Sequence, residues 1–144
     1  MSKDIKLMIK RGLIILVALA VFSCQSAEEL KTEQYFAEGY QIYTMNCANC
    51  HQADGKGMAN LYPPLSGSKI IQDKSAMACI IRYGMKDTII VNGKPFHRPM
   101  PANPKLQELE IAEIITYVNM KWGKDSLYTP IATVTKALEN CKEN

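Results

Sequence analysis

Cys47-Ala48-Asn49-Cys50-His51 decides how the rest of the chain is read. Two thiols three residues apart, followed directly by an imidazole, form the attachment pattern of a c-type haem. The chemistry explains the spacing. Each sulfur adds to one haem vinyl group, and His51 then lies beneath the iron as its proximal ligand. Three other uses of these residues compete: a zinc half-site, a thioredoxin-like redox pair, and coincidence. Zinc would want a second Cys or His pair, and none follows. A thioredoxin motif would open a helix inside a βαβ pattern, and no such pattern surrounds it. With this chain's Cys and His content, coincidence yields the pattern in about one of several hundred sequences.

The motif resembles that of the small monohaem c-type cytochromes of bacteria. The resemblance runs from about Gln34 to Trp122 and is most specific at the haem motif and at Met100. It implies an all-α, cytochrome c-like domain around one covalently bound haem c, with one small β-hairpin. The 144 residues leave room for one domain, and 47% hydrophobic with 22% charged residues is an ordinary globular composition. The formal charge of +3 is misleading. Setting aside Lys3, Lys6, Lys10, Arg11 and Asp4 from the 17 basic and 14 acidic residues leaves 13 of each. A neutral chain of this kind has no nucleic-acid footprint.

Residues 1–23 read as an export signal. A basic start ending in Lys10-Arg11 precedes an apolar run from Leu13 to Phe22. That run is too short for a membrane span, which needs about 20 residues. Val21-Phe22-Ser23-Cys24 resembles the bacterial lipoprotein signal, in which the thiol accepts a diacylglycerol and becomes the new N-terminus. A plain secreted protein with an incidental Cys24 is the alternative. The expected organisation is a signal peptide over 1–23, a lipid-anchored tether over 24–33, a cytochrome domain over 34–122 and a C-terminal extension over 123–144. Haem attachment points the same way, because bacterial c-type cytochromes mature outside the cytoplasm. Ser26-x-x-Glu29 is a possible capping box that would start the first helix earlier.

A helix is expected from about Glu33 to Asn46, with Phe36, Gly39, Tyr40 and Tyr43 on one face. In the family that Gly39 and Tyr43 resemble, the glycine lets the last helix cross closely. That last helix is expected over about Gln107–Trp122, with Ile111, Ile114, Ile115, Val118 and Trp122 at helical spacing. The resemblance implies that Ile114 and Tyr117 pack on the Gly39–Tyr43 face. Between them, Gln52–Lys74 reads as a long loop, Ser75–Tyr83 as a short helix stopped at Gly84, and Ile89–Phe96 as a hairpin turning at Asn92-Gly93. A structureless stretch as long as that loop needs a job, and wrapping the haem edge supplies one. In the family a proline carbonyl in this loop accepts the proximal histidine's Nδ1 proton; Pro63 is the best match and Pro64 the alternative. Thr129-Pro130 can open a final helix, with threonine as cap and Ile131, Val134, Leu138 and Cys141 inward.

A haem bound only by His51 would leave its sixth position open to water, oxygen or carbon monoxide. Met100 sits between Pro99 and Pro101, 49 residues after His51, and matches the family's Met-Pro-Ala loop. Met/His ligation raises the reduction potential. His97 is the competitor, and Met77, Met85 and Met120 read as core filler. The implied function is one-electron transfer in the cell envelope, with no substrate turned over. The donor would be a quinol-oxidising complex, and the acceptor a terminal oxidase or periplasmic reductase. The carrier is expected to be a monomer. Its exposed haem edge would be bordered by Lys56, Lys69 or Arg98. An electron-entry subunit of a larger enzyme, a peroxidase and a gas sensor are the alternatives. Cys79 and Cys141 remain after haem and lipid are assigned. In an oxidising compartment they form either a disulfide, stapling the extension to the domain, or two separately buried thiols.

Overall fold

A computed structural model describes residues 8–11 and 26–141. The apolar run of the leader, Cys24 and the last three residues lie outside the described part, and with them the lipidation site. The chain divides into two units after Leu30. In the first, residues 8–11 are helical and residues 27–30 begin helix α1, Ala27–Asn46. Ser26 Oγ accepts a hydrogen bond from Glu29 N–H at 3.1 Å, and Glu28 and Glu29 fill the first turn. A cap with acidic residues behind it is a helix start. Residues 27–33, expected as part of a tether, are therefore helical. No helix among the described residues is long and apolar enough to cross a membrane.

The second unit continues α1 and adds a single turn α2, Ala48–His51, and a 3-10 turn, Ile70–Gln72. Helix α3, Lys74–Tyr83, is followed by strands β1, Ile89–Val91, and β2, Lys94–Phe96. Helices α4, Glu108–Trp122, and α5, Ile131–Asn140, complete it. The core is built on the crossing of α1 and α4. A Cβ at Gly39 would run into the backbone carbonyl of Glu113 and come within 2.9 Å of Tyr117 Cβ, so only glycine permits the approach. Phe36 and Tyr43 each stack on Tyr117 with centroids 5.2 Å apart, and Tyr43 meets Trp122 at 5.3 Å. Aromatic pairs at these separations add stability beyond their buried area. Ile111, Ile114, Ile115 and Val118 bury the face of α4 that the periodicity assigned to the core.

Local chemistry sets the remaining boundaries. Asp73 caps α3 by accepting from Ser75 N–H at 2.9 Å and Ala76 N–H at 3.0 Å. Gln107, a weak cap by type, is supported by Glu110, whose carboxylate takes the Gln107 N–H at 2.6 Å. The hairpin pairs Ile89 with Phe96 and Val91 with Lys94, and Pro95 is tolerated because the sheet has only two strands.

The C-terminal extension departs from expectation at its start. Thr129 does not cap α5; Pro130, extended at φ −60° and ψ 142°, stands at the N-cap. Thr129 is instead fully buried, and its backbone N–H donates to Thr116 Oγ1 at 2.8 Å. Its hydroxyl has been pulled into the interior and cannot reach the helix start. Ile131 is 39% exposed, and Ala137 joins Val134 on the inward face in its stead. Cys79 and Cys141 are disulfide-bonded, with Cα atoms 5.7 Å apart. Lys74 pairs with Asp125 at 2.5 Å, and Thr135 donates to the Glu108 carboxylate. The extension is thus fastened to both α3 and α4.

Two outcomes follow from this packing. The disulfide closes a loop of 62 residues, which on the chain-entropy model constrains the unfolded state by about 4 kcal/mol. Cys79→Ala with Cys141→Ala should lower the guanidinium midpoint of the haem-loaded protein correspondingly; an unchanged midpoint would mean that packing alone holds α5. The second outcome concerns Glu113, 9% exposed beside the Gly39 crossing. Burial first, then the Glu38 and Glu110 carboxylates, push its pKa up to about 7. A carboxyl raised in the folded state stabilises fully below its unfolded pKa, and that contribution is lost as pH rises through the folded one. Thermal midpoints should therefore fall from pH 5 to pH 8, and Glu113→Gln should flatten the fall.

Candidate haem-binding site

Cys47 stands between α1 and α2, and α2 carries Cys50 and His51, so the whole motif sits on one tight turn. Cys50 and His51 N–H groups donate to Cys47 O at 3.1 and 2.9 Å, and Cys47 N–H to Tyr43 O at 2.8 Å. Helical winding places both thiols and the imidazole on the wall of one cavity. The cavity holds about 930 Å³ of free space when its open mouth is counted. Its other walls come from the Pro63-Pro64-Leu65 loop, from Met77, Ile80 and Ile81 of α3, from Ile114 and Val118 of α4, and from the Arg98–Pro101 segment. Nearly all of this surface is apolar, which suits the faces of a porphyrin.

The donor set fits the group. His51 Nδ1 lies 3.1 Å from the carbonyl oxygen of Pro63 rather than that of Pro64. That bond makes Nδ1 the protonated nitrogen and leaves the Nε2 lone pair for a metal. Burial lowers the His51 pKa, against the opposing pull of the Pro63 bond, so the ring is held neutral. Burial, with Cys50 as the second cause, pushes the Cys47 thiol up to about 11. A thiol that resists ionisation is a poor redox nucleophile, which argues against the thioredoxin-like use. Both motif cysteines are free of disulfides. The described residues also hold no cluster of three or more His, Cys, Asp or Glu that could bind a metal by themselves.

Loop geometry holds Pro63 in place. Gly57 has φ 68°, and a Cβ there would strike Tyr62 O and come within 2.7 Å of Pro63. Its N–H donates to His51 O at 2.9 Å, and Leu65 N–H donates to Gly55 O at 2.8 Å. On the far side of the sequence, Met100 is half-buried and lines the same cavity. Its backbone exchanges two hydrogen bonds with Met85, at 2.8 and 2.9 Å. His97 does not line the cavity; it is exposed, and its Nδ1 lies 3.0 Å from Thr88 Oγ1. Met77 and Met85, read as core filler, also line the cavity.

Three features escaped the sequence. The helix face and the family pattern assign Tyr43 to the crossing with the last helix, yet its hydroxyl also donates to Gln52 O at 2.6 Å, fastening the chain just after His51. Trp122 closes over Gly55, where a Cβ would meet its indole. Arg98 donates to Tyr62 Oη at 2.9 Å, joining two cavity walls 36 residues apart in sequence. No local pattern signals such a pair.

Comparison with known proteins agrees with this geometry. The family model described as Cytochrome c matches residues 36–122. A cytochrome c-552 of Thermus thermophilus is 30% identical over 92 residues, 60% of this chain and 70% of that protein. The chain covers 62% of a second Thermus cytochrome c-552. The cytochrome c subunits of quinone-dependent alcohol dehydrogenases from Gluconobacter oxydans and Gluconacetobacter polyoxogenes are 29% and 30% identical. The chain spans about a fifth of their length, 19% and 22%. With the family model covering most of the chain between α1 and the end of α4, and an apolar cavity built for a covalently held haem c, the protein belongs to the cytochrome c family.

Proposed function

We propose that this chain is a one-electron carrier of the bacterial cell envelope. Cys47 and Cys50 would hold one haem c by thioether bonds, and His51 and Met100 would supply the two ligands of its iron. The observation that carries the reading is that Met100 and His51, whose Nδ1 is taken up by Pro63, line one apolar cavity while His97 lies outside it. When bound, the haem supplies an iron that cycles between two oxidation states. The residues do the rest. Pro63 fixes the imidazole, Met85 fixes the backbone of Met100, and the apolar walls keep water from the metal. The same two ligands serve both oxidation states, so little has to move when an electron passes. An apolar site with a thioether ligand favours the reduced form and hence a high potential.

The donor in this reading is a quinol-oxidising complex, and the acceptor a terminal oxidase or periplasmic reductase. The carrier turns over no substrate and meets its partners as a monomer, through brief contacts of small area. Cys24 carries the lipid that keeps it at the membrane. A second reading makes it the electron-entry subunit of a dehydrogenase, favoured by its similarity to the alcohol dehydrogenase cytochrome subunits. Co-purification from detergent-solubilised membranes separates the two, since a subunit brings its enzyme with it.

Oxidised protein should show the weak near-infrared band of sulfur-to-iron charge transfer. Met100→Ala should abolish that band and let carbon monoxide bind the reduced haem; a band that survives the substitution rejects Met100 as ligand. For the anchor, the native protein should fractionate with membranes, and Cys24→Ser should release it or block its processing. Recovery of unmodified protein from the periplasmic fraction alone would reject lipidation.

A further inference from the structure

The two segments that face the haem belong to different parts of the chain and are held by different partners. Pro63 lies in the loop after His51, which is tied to itself and to the motif by the Gly57, Leu65 and Tyr43 bonds. The Met100 segment is tied elsewhere. Met100 pairs with Met85, and Asn103 N–H donates to Ile81 O at 3.0 Å. Arg82 holds Pro104 O at 2.9 Å, and His97 meets Thr88 at 3.0 Å. All of these anchors lie in α3, just after it, or in the turn before the hairpin. Among the described residues, the hydrogen bond that links residues 97–103 to the Pro63 loop is the one from Arg98 to Tyr62. The guanidinium carbon also stands 5.5 Å from the Tyr62 ring centroid. Both side chains line the cavity, Arg98 exposed and Tyr62 half-buried, so the pair stands on its rim.

We propose that Arg98 and Tyr62 form a clasp across the rim of the cavity, positioning the Met100 segment against the Pro63 loop and thereby limiting access of small ligands to the iron. The pair sits two residues before Met100 and one before Pro63. Opening it frees the Met100 segment from the opposite wall while its Met85 anchor stays intact. The two residues are positioning residues, acting through Met100. The inference rests on Met100 as sixth ligand.

Cyanide binding to the ferric haem-loaded protein tests it. Cyanide takes the coordination position that the thioether gives up, so one ligand leaves as one enters and no electron moves. Tyr62→Phe, which deletes one oxygen, and Arg98→Gln should each speed binding by roughly three- to ten-fold, the loss of one hydrogen bond. The double variant should be no faster than the quicker single one, because both remove the same bond, and Arg98→Lys should recover part of the effect. Near-infrared bands of both variants should persist at low temperature and fade on warming earlier than in the wild type. Wild-type rates and bands in Tyr62→Phe would overturn the clasp even if Arg98→Gln fails to accumulate. Failure of the ligand reading looks different: the wild type itself would then lack the band and take up cyanide without delay.

Discussion

The apolar chamber between the haem motif and the Met100 segment is the constraint to which the other elements answer. Apolar side chains that face an unfilled space forgo burial and packing contacts, and the group that fills this one restores them. Polypeptide and haem therefore make one core between them. Its walls do not touch across the middle, so each must be braced from behind. Behind His51 stand Tyr43 and the Gly57 loop; behind Ile114 and Val118 stands the α1 crossing at Gly39. The wall made by Met77, Ile80 and Ile81 is backed by the extension, with Cys79 in its midst bonded to Cys141.

That last brace lies outside the region the family model matches, residues 36–122. The extension carries its own buried residues, Val134 and Ala137, and sends Thr129 in against Thr116. Its fastenings differ in kind: a covalent bond to α3, an ion pair from Lys74 to Asp125, and a hydroxyl from Thr135 to Glu108. The ion pair is partly exposed and contributes little by itself. The disulfide and the two fully or nearly buried aliphatic contacts dominate. A haem wall backed this way resists the sideways movement that would widen the cavity.

What could be read from the sequence was local or periodic. The haem motif, the α4 stripe from Ile111 to Trp122 and the Asn92-Gly93 turn each depend on residues within one or two turns of one another. The start of α1 was legible in Ser26 and Glu29 but lost to the polar composition around them. Thr129 was misread because a threonine before a proline is a good cap only when its side chain is free; here the interior claims it. Cys79 and Cys141 could be paired only by elimination, since no pattern within a chain reports a Cα separation. The Arg98–Tyr62 contact lay beyond reach altogether, because two loops distant in sequence meet there at the rim of the cavity.

The unequal support of the two proposed iron ligands bears on electron transfer. His51 is fixed through its side chain, by Pro63, and through its backbone, by the α2 turn. Met100 is fixed by backbone alone, through Met85, and its long thioether side chain has freedom the imidazole lacks. A flexible ligand on a rigid backbone can follow small changes in bond length between oxidation states without moving the chain. The same freedom lets it leave the metal unless the surrounding walls close it in. Prolines on both sides restrict the segment's φ angles, and Asn103 pins its far end to Ile81. A methionine on this segment can therefore serve as a ligand that rarely dissociates, which is what separates a carrier from a haem that binds gases or activates peroxide.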